Sequence, residues 1–240
     1  MSVIGYQLTD NRQLTTDNQN ITPMYRILNF LQLLEKNNNR EWFNAHKSDY
    51  QQAKSVFEQL LEQIILNLGQ VDPRIKGLKA SDAIFRIYRD TRFAKDKTPY
   101  KNNFGAHLSR GGKNSGEPGY YFHIQPGESF LSGGIYMPSN DNLKAIRKEI
   151  FLFPEDFSAL IEDQSFVKNF TFFQDDKLKR PPLGFPADFL LIDYLKFKHF
   201  CPWVPLPDEW LDYPDLSERI VDLYTMMKPF NDYICRALED

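Results

Sequence analysis

The stretch Tyr120-Tyr121-Phe122-His123-Ile124-Gln125, then Pro126-Gly127-Glu128-Ser129, then Phe130-Leu131-Ser132-Gly133-Gly134-Ile135-Tyr136-Met137 decides the fold class. Two runs rich in aromatic and aliphatic residues, joined by a short turn containing Gly, predict a β-hairpin of antiparallel neighbours. Side chains alternate along a strand, so Tyr121, His123 and Gln125 share one face while Tyr120, Phe122 and Ile124 share the other. Gly133 and Gly134 remove two side chains from the partner strand, which accommodates a bulge or leaves room for a ligand.

Outward from the hairpin, the same period of two predicts strands at about 83 to 89 and 105 to 110. Leu195 to Phe200 reads as a late strand. Helical periods bracket these segments. Met24, Ile27, Leu28, Leu31 and Leu34 form one apolar stripe. Asn38, with Glu41 three residues on, resembles a capping box that opens a long helix ending near Gly69, with Trp42 and Phe43 expected in the core. Ser139 is expected to cap a helix carrying Leu143, Ile146 and Ile150, and Pro154 to open another. A C-terminal helix runs from Leu216 with a kink expected at Pro229. The expectation is an α+β fold: a mainly antiparallel sheet packed by N-terminal and C-terminal helices. Residues 23–240 read as a single domain, and residues 1–22, polar with few large apolar groups, as a tail or appended segment.

The 240 residues carry 29 Lys+Arg against 32 Asp+Glu, and 42% are hydrophobic. That composition excludes disorder, and the near-neutral charge argues against a general nucleic-acid binder. Cys201 and Cys235 are too few for a disulfide framework and lack the spacing of a CxxC pair, so the cytoplasm is the expected compartment. No apolar run approaches the roughly 18 residues of a spanning helix, and the N-terminus lacks the pattern of a secretory signal, so a soluble protein without a membrane partner is expected. No P-loop, GxGxxG, GxSxG or HExxH is present, and His46, His107, His123 and His199 have no second ligand at metal spacing. No metal or cofactor is inferred. Nothing in the pattern fixes an oligomeric state.

The densest polar segment runs from Arg86 to Lys101, with six basic and two acidic residues, a local charge of +4 in a chain whose total is -3. Planar guanidinium groups grip carboxylates or phosphates bidentately, so Arg86, Arg89, Arg92 and Lys97 are candidate anion donors, with Tyr88 and Tyr121 as walls. His123 is the candidate acid or base, because an unperturbed imidazole titrates near pH 6.5. A strand histidine also serves as a satisfied structural group, and the charges also suit an ion-pair network. Arg89, on the face of Phe85 and Ile87, is expected to pair with Asp90, Asp96 or Glu128, whereas Arg92 is expected to await a ligand.

Several segments in order resemble the family known as domain of unknown function 2461. They are Asn38-Asn39-Arg40-Glu41-Trp42-Phe43, Arg86 to Phe93 with Lys95 to Lys101, Tyr120 to Ser129, Gly133-Gly134, Leu143 with Ile146-Arg147, and Leu178-Lys179-Arg180-Pro181-Pro182. Together they span about residues 24 to 235, and Leu183 stands where the family pattern has Lys. The resemblance implies an α+β domain and brings no established catalytic residue, substrate or cofactor.

The functional expectation is binding, with or without turnover, of a small anionic ligand in a cleft lined by Arg, Lys, Tyr and His. The alternative is a non-catalytic protein-interaction module whose Arg/Asp cluster is structural. A weaker third reading is single-strand nucleic-acid binding through the same aromatics and basic segment.

Overall fold

A computed structural model describes residues 23–174 and 176–239. The segment 1–22, expected to be a tail, lies outside the described residues. The element order is α1 (Pro23–Lys36), α2 (Arg40–Ala45), α3 (Lys47–Val71), α4 (Ala80–Ala83), β1 (Phe104–Leu108), β2 (Gly119–Ile124) and β3 (Phe130–Gly134). It continues with α5 (Asn140–Leu152), α6 (Pro154–Ile161), α7 (Gln164–Asn169), β4 (Thr171–Phe172), α8 (Ile192–Leu195), β5 (Pro202–Pro205) and α9 (Leu216–Leu238). The strands form one antiparallel sheet in the order β1-β2-β3-β5-β4. The α+β expectation holds, with helices at both ends of the described chain.

The helices lie where sequence chemistry starts and stops them. Asn39, extended at φ -142°, accepts a hydrogen bond from the Trp42 amide at 2.9 Å and so caps α2. Asn38, the expected cap, instead pairs with the Tyr100 backbone, donating to its carbonyl at 2.9 Å and accepting from its N–H at 3.1 Å. Ser139 caps α5 as expected. Helix α9 runs unbroken through Pro229, which faces solvent beside the likewise exposed Thr225, the residue whose carbonyl a proline at 229 leaves without its helical donor.

One face of the sheet carries the core. Phe57 of α3 packs on Phe104 and Phe122, at centroid distances of 5.5 and 5.6 Å, and Tyr224 of α9 packs on Tyr120. Phe43 is buried as expected, but Trp42 is only half-buried, because it lies parallel to the His46 ring at 4.1 Å on the flank of the α2 turn. Gly133 faces α9: a Cβ there would sit 2.1 Å from Met227 Sδ. The double glycine therefore makes room for a helix on that face. Gly134, at φ +87°, takes the chain out of β3 with a Cβ position only 1.9 Å from the Phe200 carbonyl oxygen.

Two expected strands are corrected. Residues 83 to 89 begin in the helical turn α4 and continue as extended chain with isolated bridges, Ile84 to Ala106 and Tyr88 to Tyr100. The intervening loop at 90 to 98 interrupts the ladder, so only three backbone bonds cross: Phe85 to Gly105, Lys101 to Ile87 and Arg89 to Pro99. Residues 195 to 200 leave α8 and make two single bridges, Phe197 to Lys177 and Phe200 to Ile135 just past β3; the strand proper is β5, at Pro202–Pro205. Its prolines disguise it, since proline cannot donate to a ladder.

Asn231 joins α9 to the sheet. Its side-chain oxygen accepts from the Gly134 N–H at 2.6 Å, and its amide donates to the Gly119 carbonyl at 3.1 Å, while the residue is 1% exposed. Replacement by Leu strands two buried backbone groups, each worth roughly 1–3 kcal/mol. We expect Asn231→Leu to lower the unfolding free energy by about 2 to 5 kcal/mol in a denaturant titration. A loss under about 1 kcal/mol would mean that these groups find other partners.

Candidate functional site

The sheet face opposite α3 and α9 is open and forms a cleft of about 740 Å³. Strand alternation builds its floor. His107 of β1 lies opposite Tyr121 of β2, and Tyr121 opposite Ser132 of β3, while His123 pairs with Phe130. The walls come from Phe85 and Lys101 on one side and from Phe173, His199 and Cys201 on the other. Gly105 is glycine because Tyr121 lies across it: a Cβ there would be 2.5 Å from the phenol oxygen.

The polar groups form a connected row. Tyr121 Oη and His123 Nδ1 are 3.0 Å apart, His123 Nε2 and Gln125 Oε1 are 3.2 Å apart, and the Gln125 amide donates to Glu128. The His123 ring stacks on Phe130 at 4.6 Å. Burial pushes its pKa down, assisted by the Lys101 charge and opposed by Gln125 and Glu128, so the imidazole is neutral at neutral pH. Burial likewise lowers His107 and His199 and raises the Tyr121 phenol to about 12. Cys201, 6% exposed, is pushed up to about 12 and remains a thiol rather than a nucleophile.

Lys101 is the exceptional charge. Its ammonium lies 5.4 Å from the Phe85 ring centroid and has no hydrogen bond or ion pair among the described residues. Burial, then the neighbouring Arg86 charge, lowers its pKa, which is the mark of a cation lacking a counter-ion. The other lining charges are occupied or at the edge. Lys113 donates to the Ser81 and Asp82 carbonyls at 3.0 and 3.2 Å, Asp176 pairs with Lys198, and Glu117 is exposed.

Of the sequence-predicted residues, the fold brings only Tyr121 and His123 into the cleft. Arg86 is exposed and near enough to Lys101 to act on it electrostatically. Tyr88 is half-exposed and packs instead with Phe43 and Tyr100 at 5.9 and 5.4 Å. Arg89 pairs with Asp96, one of its expected partners, and with Thr98. Arg92, expected to be unpaired, holds Asp90 at 2.6 Å within the exposed loop, and Lys97 donates to the Thr91 carbonyl at 2.9 Å. The bonds from Thr98 and Arg89 hold the Asp96 carboxyl down at about 2. Sequence reasoning passed over Lys101, although it closes the basic segment, and His107, although the period of β1 places it beside Tyr121. His199 lies in the segment expected as a strand at Leu195 to Phe200, and Cys201 just beyond it, but the fold makes this stretch an irregular approach to β5.

No group of three or more His, Cys, Asp or Glu among the described residues could hold a metal ion, and no described helix is long and apolar enough to cross a membrane. Fold and cleft define an α+β protein whose sheet is helix-covered on one face and hollowed on the other. The chain belongs to the DUF2461 family, described as a conserved hypothetical protein, whose model matches residues 26–233. No curated protein and no solved structure gives a significant match to it.

The depressed histidines set a pH dependence. The unfolded imidazole takes up its proton near pH 6.5 while folded His107, His123 and His199 resist it, so the unfolded state binds more protons and stability falls as pH drops below about 6.5. The melting temperature of the wild type should decline from pH 7 to 5, and His123→Gln should flatten that decline. An unchanged slope in the variant would show that His123 is as solvated when folded as when unfolded.

Proposed function

We propose that the protein binds a small organic anion in this cleft, with Lys101 as the primary cation, Tyr121 and His123 as polar contacts, and Phe85, Phe130 and Phe173 as apolar walls. The observation that carries the reading is the partnerless ammonium of Lys101 in a concave, largely aromatic surface. An ammonium drawn partly out of water without a counter-ion costs free energy, which a bound carboxylate or phosphate returns. Arg86 adds long-range attraction at the rim. Of the remaining cations of the segment, Arg89, Arg92 and Lys97 brace the loop in this reading. The free thiols of Cys201 and Cys235 suit a reducing compartment such as the cytoplasm.

A second reading, an interaction module, is favoured by the same loop. Its charges satisfy one another through the Arg89–Asp96 and Arg92–Asp90 pairs, and Phe93 is 94% exposed at its tip.

Thermal-shift measurements with carboxylated and phosphorylated metabolites test the first reading. A ligand at 100 times its dissociation constant should stabilise the wild type by about 2.7 kcal/mol. Lys101→Met should leave the apo midpoint unchanged or raised and abolish that shift, whereas Arg92→Ala should preserve both. If no anion stabilises the wild type, or if Lys101→Met retains the shift, the cleft is not the anion site.

A further inference from the structure

The hydrogen-bond row across the cleft floor has only one self-consistent direction, and it begins outside the cleft. Gln125-Pro126-Gly127-Glu128 is a tight turn with Pro second and Gly third; Gly127 has φ +73°, and the Glu128 N–H donates to the Gln125 carbonyl at 2.9 Å. The turn is clamped from both sides. Ser129 Oγ accepts from the Gln125 N–H at 3.1 Å and donates to its carbonyl at 2.9 Å, and the Gly127 N–H donates to Asp208 at 2.9 Å. First and fourth residues of such a turn lie side by side, which sets the Gln125 amide against the Glu128 carboxylate.

From that contact each donor is forced. A carboxylate only accepts, so the NH2 end of Gln125 must face Glu128 and its oxygen must face His123. An amide oxygen only accepts, so His123 Nε2 carries the ring proton. The neutral ring then has a bare lone pair on Nδ1, and Tyr121 must spend its O–H on it. The phenol oxygen therefore faces the cleft with lone pairs alone.

We infer that Gln125 and Glu128 are positioning residues that make Tyr121 an acceptor toward the cleft, so that the ligand is an organic anion bearing a hydroxyl or amino group. The anionic group meets Lys101, and the O–H or N–H of the same molecule donates to Tyr121 Oη. Phe85 is the wall they share, with the Lys101 ammonium 5.4 Å from its centroid and the Tyr121 ring at 6.3 Å. A half-buried phenol that has given its proton away offers acceptor capacity to the cleft, which an unsubstituted carboxylate cannot meet. This ligand class rests on the proposed anion site; the tautomer of His123 does not.

Two measurements on the full chain separate the two. Long-range 1H–15N spectra of histidine-labelled protein at pH 7.5, with the His123 signals assigned through His123→Gln, should show a neutral ring protonated on Nε2. In Gln125→Leu, and in Glu128→Gln where the amide at 125 is free to flip, the Nδ1-protonated form should become populated. Thermal-shift titrations then compare lactate with propionate and 4-hydroxybenzoate with benzoate. The hydroxylated member should bind the wild type about two- to tenfold more tightly, the effect of one neutral hydrogen bond, and lose that advantage in Gln125→Leu. A wild-type ring protonated on Nδ1 would overturn the inference at its root. Equal binding of the paired acids would overturn the ligand class. Absence of any stabilisation, with the expected tautomer observed, would overturn the ligand class together with the anion site and leave the relay standing.

Discussion

The seat of α9 on the β2–β3 pair is the contact on which the rest of the architecture depends. Three residues of one helix face make it: Tyr224 donates to the Tyr121 carbonyl at 3.0 Å, Met227 fills the space over Gly133, and Asn231 spans Gly119 and Gly134. Tyr224 also packs on the Tyr120 ring, but the anchoring contacts go to strand backbone or to the space a missing side chain leaves. Because strand side chains alternate, gripping Tyr121 by its carbonyl from below fixes the ring that stands on the other side. The helical layer thus sets the position of the cleft floor without touching the cleft.

A second buried network works in the same way at the far end of α3. Asp72, 1% exposed, accepts from Arg74 through both carboxylate oxygens and from Tyr120 at 2.8 Å, and Arg74 continues to Asp232 of α9. Burial alone would raise the Asp72 carboxyl, but these donors hold it below its ordinary value. A buried carboxylate tolerates its site only while fully hydrogen-bonded, so this network locks α3, β2 and α9 in one register. On the opposite flank, Asn38 reads both backbone groups of Tyr100, and Phe43 stacks on its ring at 3.9 Å. Tyr100 is thereby held inward and the next residue, Lys101, is turned to the cleft. The segment from Asn38 to Phe43 acts on the site from behind, as scaffold.

The period of two in Tyr120 to Gln125 fixed both the hairpin and the face shared by Tyr121 and His123, because that period is intrinsic to the pleat. Capping chemistry located a helix start within one residue, at Asn39, and α5 at Ser139, but the one long helix expected from there is broken at His46 into α2 and α3. Arg92 differed from expectation for a physical reason: charge density along a chain reports the field, whereas partners are chosen by the loop conformation, and a turn that lets Asp90 fold back consumes Arg92, while Arg89 took Asp96, one of its expected partners. His199 and Cys201 were invisible because their place depends on long-range bridges such as Ile135 to Phe200 rather than on local pattern. Lys101 was in view all along, but what distinguishes it, an unpaired charge drawn partly out of water inside the cleft, exists only once the chain is folded.

The central claim is that Lys101 awaits an anion. A crystal structure of the wild type grown with the most stabilising carboxylate or phosphate examines it directly. An oxygen of that ligand is expected within about 2.7–3.2 Å of Lys101 Nζ, above the Phe85 ring and beside Tyr121. An anion bound instead to the arginines of the 89–98 loop, with Lys101 bare, would contradict it.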